Sequence, residues 1–248
     1  MHEQLKDWNL ALAAYNWGIG NPVYKIDSLV KAQKILNHNT FTSCFVISDG
    51  YGNLHANVTS SVSDLIAFVK NGGNLFFQKV DVTSQDSVDN AIGEIIEKYG
   101  KIEILINNAG IIRDRSFLKM TEEEWDSVIN VNLKSLFIVT KSVVPHMKEN
   151  GYGRIVSASS INGSAGAFGQ TNYCATKAGI SGFTRALCKE VGKNGITVNA
   201  VAPGFVKSVM SDSMPEEIIK AGIKMIPVGR IGTPEDMGHA YLFLASKE

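Results

Sequence analysis

The sequence predicts an α/β protein with a doubly wound parallel sheet, because short apolar segments alternate along it with longer amphipathic ones. Segments 74–80, 102–106 and 196–202 are short and mostly apolar, as expected of strands, whereas 84–99 repeats its apolar residues at helical spacing. Strands that are apolar on both faces, each followed by a helix, are typical of a parallel sheet covered on both sides.

Capping residues mark where the predicted helices begin and end. Thr121, followed three residues later by Glu124, has the pattern of a capping box, and its helix is expected to run to residue 150, before Gly151. A last helix is expected after Thr233, which precedes a proline and an acidic first turn. Between them we expect a strand at 154–159 and a helix at 172–194 ended by Gly195.

The first seventy residues are less regular. Their apolar pattern allows a strand at 10–14, a helix at 22–36 and a strand at 42–48. Because no internal repeat and no low-complexity linker divides the chain, we expect residues 1–248 to form a single domain. The chain stops directly after its last predicted helix, so we expect no closing C-terminal strand, which would leave an unpaired sheet edge.

The composition excludes several classes of function. Basic and acidic residues balance at 24 each, which argues against nucleic acid as the main partner. The three cysteines, Cys44, Cys174 and Cys188, contain no CxxC pair, so we expect neither a disulfide framework nor a bound metal. No stretch of eighteen apolar residues and no signal-peptide pattern is found, so we expect a cytoplasmic protein without a membrane span.

Tyr173 and Lys177 are the central candidates for chemistry. They lie four residues apart near the start of a predicted helix, which places both side chains on one face. A phenol has a pKa near ~10, and a nearby ammonium lowers that pKa, so that the tyrosine can exchange a proton with a carbonyl oxygen. On an arbitrary helix a tyrosine and a lysine at this spacing are mostly exposed residues without a function. The interpretation therefore depends on which other residues are expected near them.

Three predicted strands end in small or polar residues. Ser160 follows one strand, where its hydroxyl could hydrogen-bond a carbonyl oxygen, Asn107 to Gly110 (NNAG) follow another, and Pro203-Gly204 a third. Taken separately, each is also explained as an ordinary turn. Because the carboxyl ends of parallel strands share one edge, we expect all three to meet Tyr173 in one crevice.

The segments NNAG (107–110), SS (159–160), YCATK (173–177) and PG (203–204), in this order and spacing, resemble the classical short-chain dehydrogenase/reductase family. The resemblance covers residues 74–246 and implies a Rossmann-type fold, whereas 1–73 have diverged. NNAGIIRD, FGQTNY (168–173) and VNAVAPGF are most similar to the 3-oxoacyl-thioester reductases, which act on substrates carried on acyl carrier protein or coenzyme A.

The resemblance implies a role for each matching residue. Tyr173 would be the general acid, Ser160 the carbonyl anchor, and Gln170 a further substrate contact. Lys177 would hold the nicotinamide ribose and lower the tyrosine pKa, and Asn132 would support a water in the proton relay, although a mid-helix asparagine often only bonds within its own helix. The implied cofactor-binding residues are Gly18, Ile19, Gly20, Asp81, Val82, Asn107, Ala109, Gly110, Tyr173, Lys177, Pro203, Gly204, Val206 and Ser208.

The expected phosphate-binding loop departs from the family pattern. Gly18 and Gly20 match, but Ala13 and Ala14 replace the threonine and the first glycine, and a methyl group at Ala14 would crowd a turn with positive φ. The resemblance implies NADP(H) as cofactor. Trp17, in place of an arginine, and Asp49, which suits a free ribose hydroxyl, leave NAD(H) open.

Three functions follow as hypotheses. The first is the reduction of a 3-oxoacyl thioester by hydride transfer from a nicotinamide cofactor. The second is reduction of a sugar, polyol or small ketone, and the third a catalytically silent binding or assembly subunit. The helices at 122–150 and 172–194 match those that join subunits in the family, so a homodimer or homotetramer is expected.

Overall fold

Six parallel strands form one sheet in the computed structural model, which describes residues 11–14, 44–46, 75–77, 80–207 and 216–247. The strands are β1 (Ala11–Ala14), β2 (Cys44–Val46), β3 (Leu75–Phe77), β4 (Ile104–Asn107), β5 (Gly153–Ala158) and β6 (Ile196–Val201). Their spatial order is β3-β2-β1-β4-β5-β6, so the direction in which the sheet grows reverses between β1 and β4. The predicted doubly wound α/β fold is confirmed.

Seven α-helices on the described part of the chain lie between these strands or, in the case of the last two, follow β6. They are α1 (Gln85–Tyr99), α2 (Glu122–Ile129), α3 (Ser135–Glu149), α4 (Asn162–Ala165), α5 (Thr171–Val191), α6 (Glu216–Lys224) and α7 (Pro234–Ala245). The predicted capping box at Thr121 and the predicted N-cap at Thr233 are both present, and Thr233 forms a capping box as well: the hydroxyls of Thr121 and Thr233 accept from the backbone N–H groups of Glu124 and Asp236. The sequence therefore located these helix starts to the residue.

The helix predicted over 121–150 is present as one helical stretch, Glu122–Glu149, but it is not α-helical throughout. A π-helical turn, Asn130–Lys134, separates α2 from α3. Within it, the Asn132 side chain bonds the backbone of Ile111 in the loop after β4, at both the N–H and the carbonyl. A π turn inserts one extra residue into the helical register, and here it accompanies a side chain that bonds outside its own helix.

Alternate residues of β4 pack against opposite layers of the molecule. Leu105 lies in a core with residues of α1 and α3, whereas Ile104 and Ile106 contact Tyr241 and Ala245 of α7. All four residues of the strand are buried, which is the pattern of a parallel strand covered on both faces. Among the described strands, β4 therefore has no exposed face and is open to a ligand at its end.

One helical stretch among the described residues, Glu122–Glu149, is long and apolar enough to cross a membrane by length and composition alone. Half of its apolar window is buried within the protein, as is usual for a core helix. Several expected features lie outside the described residues: the helix at 22–36, Trp17, Gly18, Ile19, Gly20, Asp49 and Ser208.

Candidate active site

The carboxyl ends of four neighbouring strands, β1, β4, β5 and β6, form the floor of the candidate site. Ala14, the last residue of β1, pairs with Asn107, the last residue of β4, at the position where the strand order reverses. Beyond β5 and β6, the Ser159 N–H donates to the Val201 carbonyl at 2.8 Å, and the Ile161 N–H to the Pro203 carbonyl at 2.9 Å. The strand ends are therefore adjacent, at the place where doubly wound sheets bind ligands.

Tyr173, Lys177 and Ser160 come together above this floor. Tyr173 and Lys177 lie in the first two turns of α5, and the hydroxyls of Tyr173 and Ser160 are hydrogen-bonded to each other. The Lys177 ammonium lies 5.3 Å from the centroid of the Tyr173 ring and donates to the carbonyl of Ala158, at the end of β5, at 2.6 Å. The sequence predicted this convergence from three separate segments.

The proton affinity of Tyr173 differs from the expectation. Burial raises the pKa of the phenol above its ordinary value, the hydrogen bond with Ser160 lowers it, and the negative charge of Asp114 raises it further. We expected the lysine to lower this pKa. In the structure burial of the hydroxyl has the largest effect, so the pKa of Tyr173 is raised and the phenol keeps its proton.

Asn132 fixes the loop that follows β4. Its side chain is 1% exposed; the amide NH₂ donates to the Ile111 carbonyl at 2.9 Å and the amide oxygen accepts from the Ile111 N–H at 2.7 Å. The NH₂ also donates to the Thr176 hydroxyl of α5 at 3.4 Å. Asn132 thus bonds across to the site and not within its own helix. It also lines a small cavity together with Asn107, Ala109, Ser135, Leu136, Val139 and Ile180.

Asn172, which was not assigned from the sequence, also holds the loop after β4 in place, and it does so from the start of α5. It is fully buried, and its NH₂ donates to the carbonyls of Arg113 and Glu124 at 3.1 and 3.2 Å. Its oxygen accepts from the Tyr173 N–H at 2.7 Å, which caps the first turn of α5. The signal was present in the FGQTNY segment, but only the fold shows that three elements meet at this side chain.

Gln170, the expected substrate contact, lies in a hydrogen-bonded chain beside the hydroxyl groups. Its NH₂ donates to an Asp114 carboxylate oxygen at 2.8 Å, and its carbonyl oxygen accepts from the Asn162 NH₂ at 2.9 Å. Asn162 in turn donates its backbone N–H to the Ser160 hydroxyl oxygen at 3.2 Å. Asp114 and Asn162 were not assigned from the sequence, because their contacts join residues 56 and 8 positions apart.

The residues at the end of β4 suit the expected nicotinamide cofactor. Asn107 and Asn108 each have a buried side-chain oxygen without a hydrogen-bond partner among the described residues, and such atoms call for a ligand or water. A Cβ on Gly110 would lie 3.7 Å from the Lys177 ammonium and 3.6 Å from the Asn132 amide oxygen. The backbone there is therefore in contact with both side chains, and the donor and acceptor set fits the polar face of a dinucleotide.

The other expected cofactor residues lie around the same edge of the sheet. The Asp81 carboxylate accepts from the N–H and hydroxyl of Thr83, at 2.9 and 2.7 Å, while the Val82 side chain belongs to the core. Beyond β6, Gly204 is exposed and Val206 pairs with Gly232 in an isolated parallel bridge. Because the Val82 side chain is buried in the core, only the backbone of this residue could contact a ligand.

Crowding at Ala14 was expected if the backbone made a tight turn there with positive φ. Strand β1 continues through Ala14, whose pairing with Asn107 requires extended backbone. The turn on which the expected crowding depended is therefore not present at that residue.

Comparison with known proteins identifies the family. A family model described as enoyl-(acyl carrier protein) reductase matches residues 54–248. The chain is 47% identical over 169 residues to a 3-oxoacyl-[acyl-carrier-protein] reductase of Thermotoga maritima, covering 68% of this chain and 69% of that protein. It is 45% identical over 168 residues to an acetoacetyl-CoA reductase of Cupriavidus necator, covering 68% of each. The protein therefore belongs to the short-chain dehydrogenase/reductase family of NAD(P)-dependent oxidoreductases.

Proposed function

We propose that the protein reduces the 3-oxo group of an acyl thioester, carried on acyl carrier protein or coenzyme A, to the 3-hydroxyacyl form. The observation that supports this most directly is the hydrogen-bonded pair of hydroxyls on Ser160 and Tyr173, backed by the buried Lys177. Two neighbouring O–H groups suit a carbonyl oxygen, which accepts two hydrogen bonds. The relatives named as 3-oxoacyl-[acyl-carrier-protein] and acetoacetyl-CoA reductases point to the thioester class.

In this proposal the protein holds the substrate oxygen and supplies its proton. A bound nicotinamide supplies the hydride for C3 of the substrate. Ser160 donates a hydrogen bond to the C3 oxygen, and Tyr173 transfers its phenolic proton to that oxygen as negative charge develops there. The phenol is protonated at neutral pH, because its pKa is not lowered from the ordinary value near ~10, and it can act as the acid. The positive charge of Lys177 then stabilises the phenolate.

Lys177 and the end of β4 are proposed to hold the cofactor, with NADP(H) favoured over NAD(H) by the resemblance. The ammonium would bond the ribose hydroxyls, and Asn132 would keep the loop after β4 in place and support a water in the small cavity beside it. The proposed cofactor contacts are Gly18, Ile19, Gly20, Asp81, Val82, Asn107, Ala109, Gly110, Tyr173, Lys177, Pro203, Gly204, Val206 and Ser208.

The test is reduction of acetoacetyl-CoA followed by the absorbance of the reduced nicotinamide. Replacing Tyr173 with phenylalanine keeps the ring and removes the acid, so kcat/KM should fall by roughly 10²–10⁴-fold. Equal rates for the two proteins would contradict the proposal. Crotonyl-CoA, an enoyl thioester, should be reduced far more slowly, and preferential reduction of a sugar, polyol or small ketone would favour the alternative substrate class.

We further propose that the chain acts in the cytoplasm as a homodimer or homotetramer, joined through α3 and α5. Phe137 on α3 is 50% exposed and has the Lys141 ammonium 5.4 Å from its ring centroid. An exposed aromatic side chain on a long helix suits burial against a second copy. The solution mass of the protein distinguishes a monomer from these assemblies.

A further inference from the structure

Asp114 is an exposed acidic residue whose position is nevertheless fixed. The backbone on both sides of it is pinned: Asn172 bonds the Arg113 carbonyl at 3.1 Å, and the Arg115 N–H donates to the Gly169 carbonyl at 2.8 Å. Ile111, which lies two residues before Arg113, is hydrogen-bonded at both its N–H and its carbonyl by the Asn132 side chain. The carboxylate is therefore held in one place, although solvent reaches it.

The carboxylate of Asp114 is directed at the substrate side of the site. It accepts from the Gln170 NH₂ at 2.8 Å, and Gln170 continues through Asn162 to Ser160. One N–H and one lone pair of the Gln170 amide are not used by these bonds. The amide is thus locked in one orientation while it still has a donor and an acceptor to offer a ligand.

The charge of Asp114 has no direct counter-ion within the described part of the chain. The guanidinium of Arg115 forms an ion pair with Glu124 at 2.7 Å, and that of Arg113 donates to the Ile112 carbonyl at 2.9 Å. The field of the carboxylate nonetheless reaches the reacting hydroxyl, since it raises the pKa of Tyr173. A negative charge that acts on Tyr173 also acts on whatever binds to Tyr173.

We propose that Asp114 is a specificity-determining residue: it holds the Gln170 amide towards the substrate and selects neutral 3-oxoacyl thioesters against free 3-oxo acids. This inference rests on the proposed function. In both substrates the C3 oxygen would bind Ser160 and Tyr173. C1 lies two bonds from C3. In the thioester C1 has an uncharged carbonyl, which can accept a hydrogen bond from the Gln170 amide. In the free acid C1 is a carboxylate, which the negative charge of Asp114 repels.

The experiment compares two small substrates that differ in the charge at C1. The neutral probe is the N-acetylcysteamine thioester of acetoacetic acid, and the anionic probe is acetoacetate. Asp114→Asn removes the charge and keeps an acceptor for Gln170, so the preference for the thioester in kcat/KM should fall about three- to tenfold, through faster reduction of acetoacetate. Asp114→Ala should lower the preference further, because KM for the thioester rises when Gln170 loses its partner.

Two further readouts separate this function from a purely structural one. The effect of Asp114→Asn on the preference should shrink at high ionic strength, because exposed charges are screened. The alkaline fall of kcat/KM for the thioester should move to lower pH in Asp114→Asn, since a charge that raises the pKa of Tyr173 is gone. The other groups that act on Tyr173 are Ser160, Cys174, Lys177 and Tyr241, and this variant leaves all of them in place.

Asp126→Asn is the matched control, because Asp126 is an exposed acid on α2 outside the site. It should change neither the preference nor the pH profile. Unchanged preference in both Asp114 variants, with wild-type protein that reduces the thioester, overturns this inference and leaves the proposed function standing. Failure of the wild-type protein to reduce the neutral thioester overturns both.

Discussion

At the residue scale, the reactivity of Tyr173 is set by opposing influences on one hydroxyl. Burial raises the pKa of the phenol and the hydrogen bond with Ser160 lowers it. Because burial has the larger effect, the acid form persists above neutral pH. A reductase needs that acid form, so its activity should fall only when pH rises through the raised pKa.

Ser160→Ala tests this balance at a single side chain. Without the hydrogen bond the pKa of Tyr173 rises further, so the alkaline fall of kcat/KM should move to higher pH. The rate itself should drop by roughly 10²–10³-fold, as is typical when one donor to a developing oxyanion is removed. Ser164→Ala, at an exposed serine of α4, should leave both quantities unchanged. A downward shift of the alkaline limb in Ser160→Ala would contradict the stated role of Ser160.

At the scale of the elements, the sequence predicted those features that depend only on residues close together along the chain, such as helix caps. The capping box at Thr121 and the N-cap at Thr233 were located to the residue because each depends only on residues within three positions of it. The π turn at Asn130–Lys134 was missed because its cause, the pair of bonds between Asn132 and Ile111, joins residues 21 positions apart. The spacing of residues within one helix does not indicate a contact with a loop elsewhere in the chain.

The same reasoning explains which parts of the candidate site were found. Ser160, Tyr173 and Lys177 were predicted because each occupies a recognisable place at a strand end or helix start, and parallel strands bring those places together. The chain from Asn162 through Gln170 to Asp114 was not, because its bonds join different elements: Asn162 belongs to α4, Gln170 precedes α5, and Asp114 is 56 positions from Gln170. Residues that position others carry a weaker sequence signal than those they position.

The turn that leads from α5 into β6 gives a prediction for a whole element. Gly195 has φ of 75°, and a Cβ there would collide with the carbonyl oxygen of Gly151. Gly100, the C-cap of α1, has nearly the same φ of 80° but no atom within 4 Å of its added Cβ. Alanine at Gly100 should cost about 1–2 kcal/mol for the left-handed conformation alone.

Alanine at Gly195 should cost the same amount plus about 1–3 kcal/mol for the collision with backbone. Urea denaturation of the two variants measures the difference, and the shared positive φ cancels in the comparison. Since Gly195 joins α5 to β6, its variant should also lose activity at temperatures where Gly100→Ala is still active. Equal destabilisation of the two proteins would show that the turn relaxes around the added methyl group.

At the scale of the whole molecule, the reversal of strand order between β1 and β4 creates the crevice, and the described residues on both sides meet there. Ala14 and Asn107 form its floor, while Lys177 and the loop held by Asn132 form one wall. A ligand that spans this crevice contacts segments far apart in the sequence. Its binding should therefore stabilise the folded chain as a unit.

Thermal unfolding with and without cofactor tests this coupling. NADPH at a hundred times its Kd should add about 2.7 kcal/mol to the stability, and NADH at the same concentration should add less. Lys177→Met should reduce the increment, because the buried ammonium is proposed to bond the ribose, whereas Lys189→Met, at an exposed lysine on the same helix, should not. Each variant is compared with itself, so any loss of intrinsic stability cancels. A folded wild-type chain that neither nucleotide stabilises would instead support a catalytically silent binding subunit.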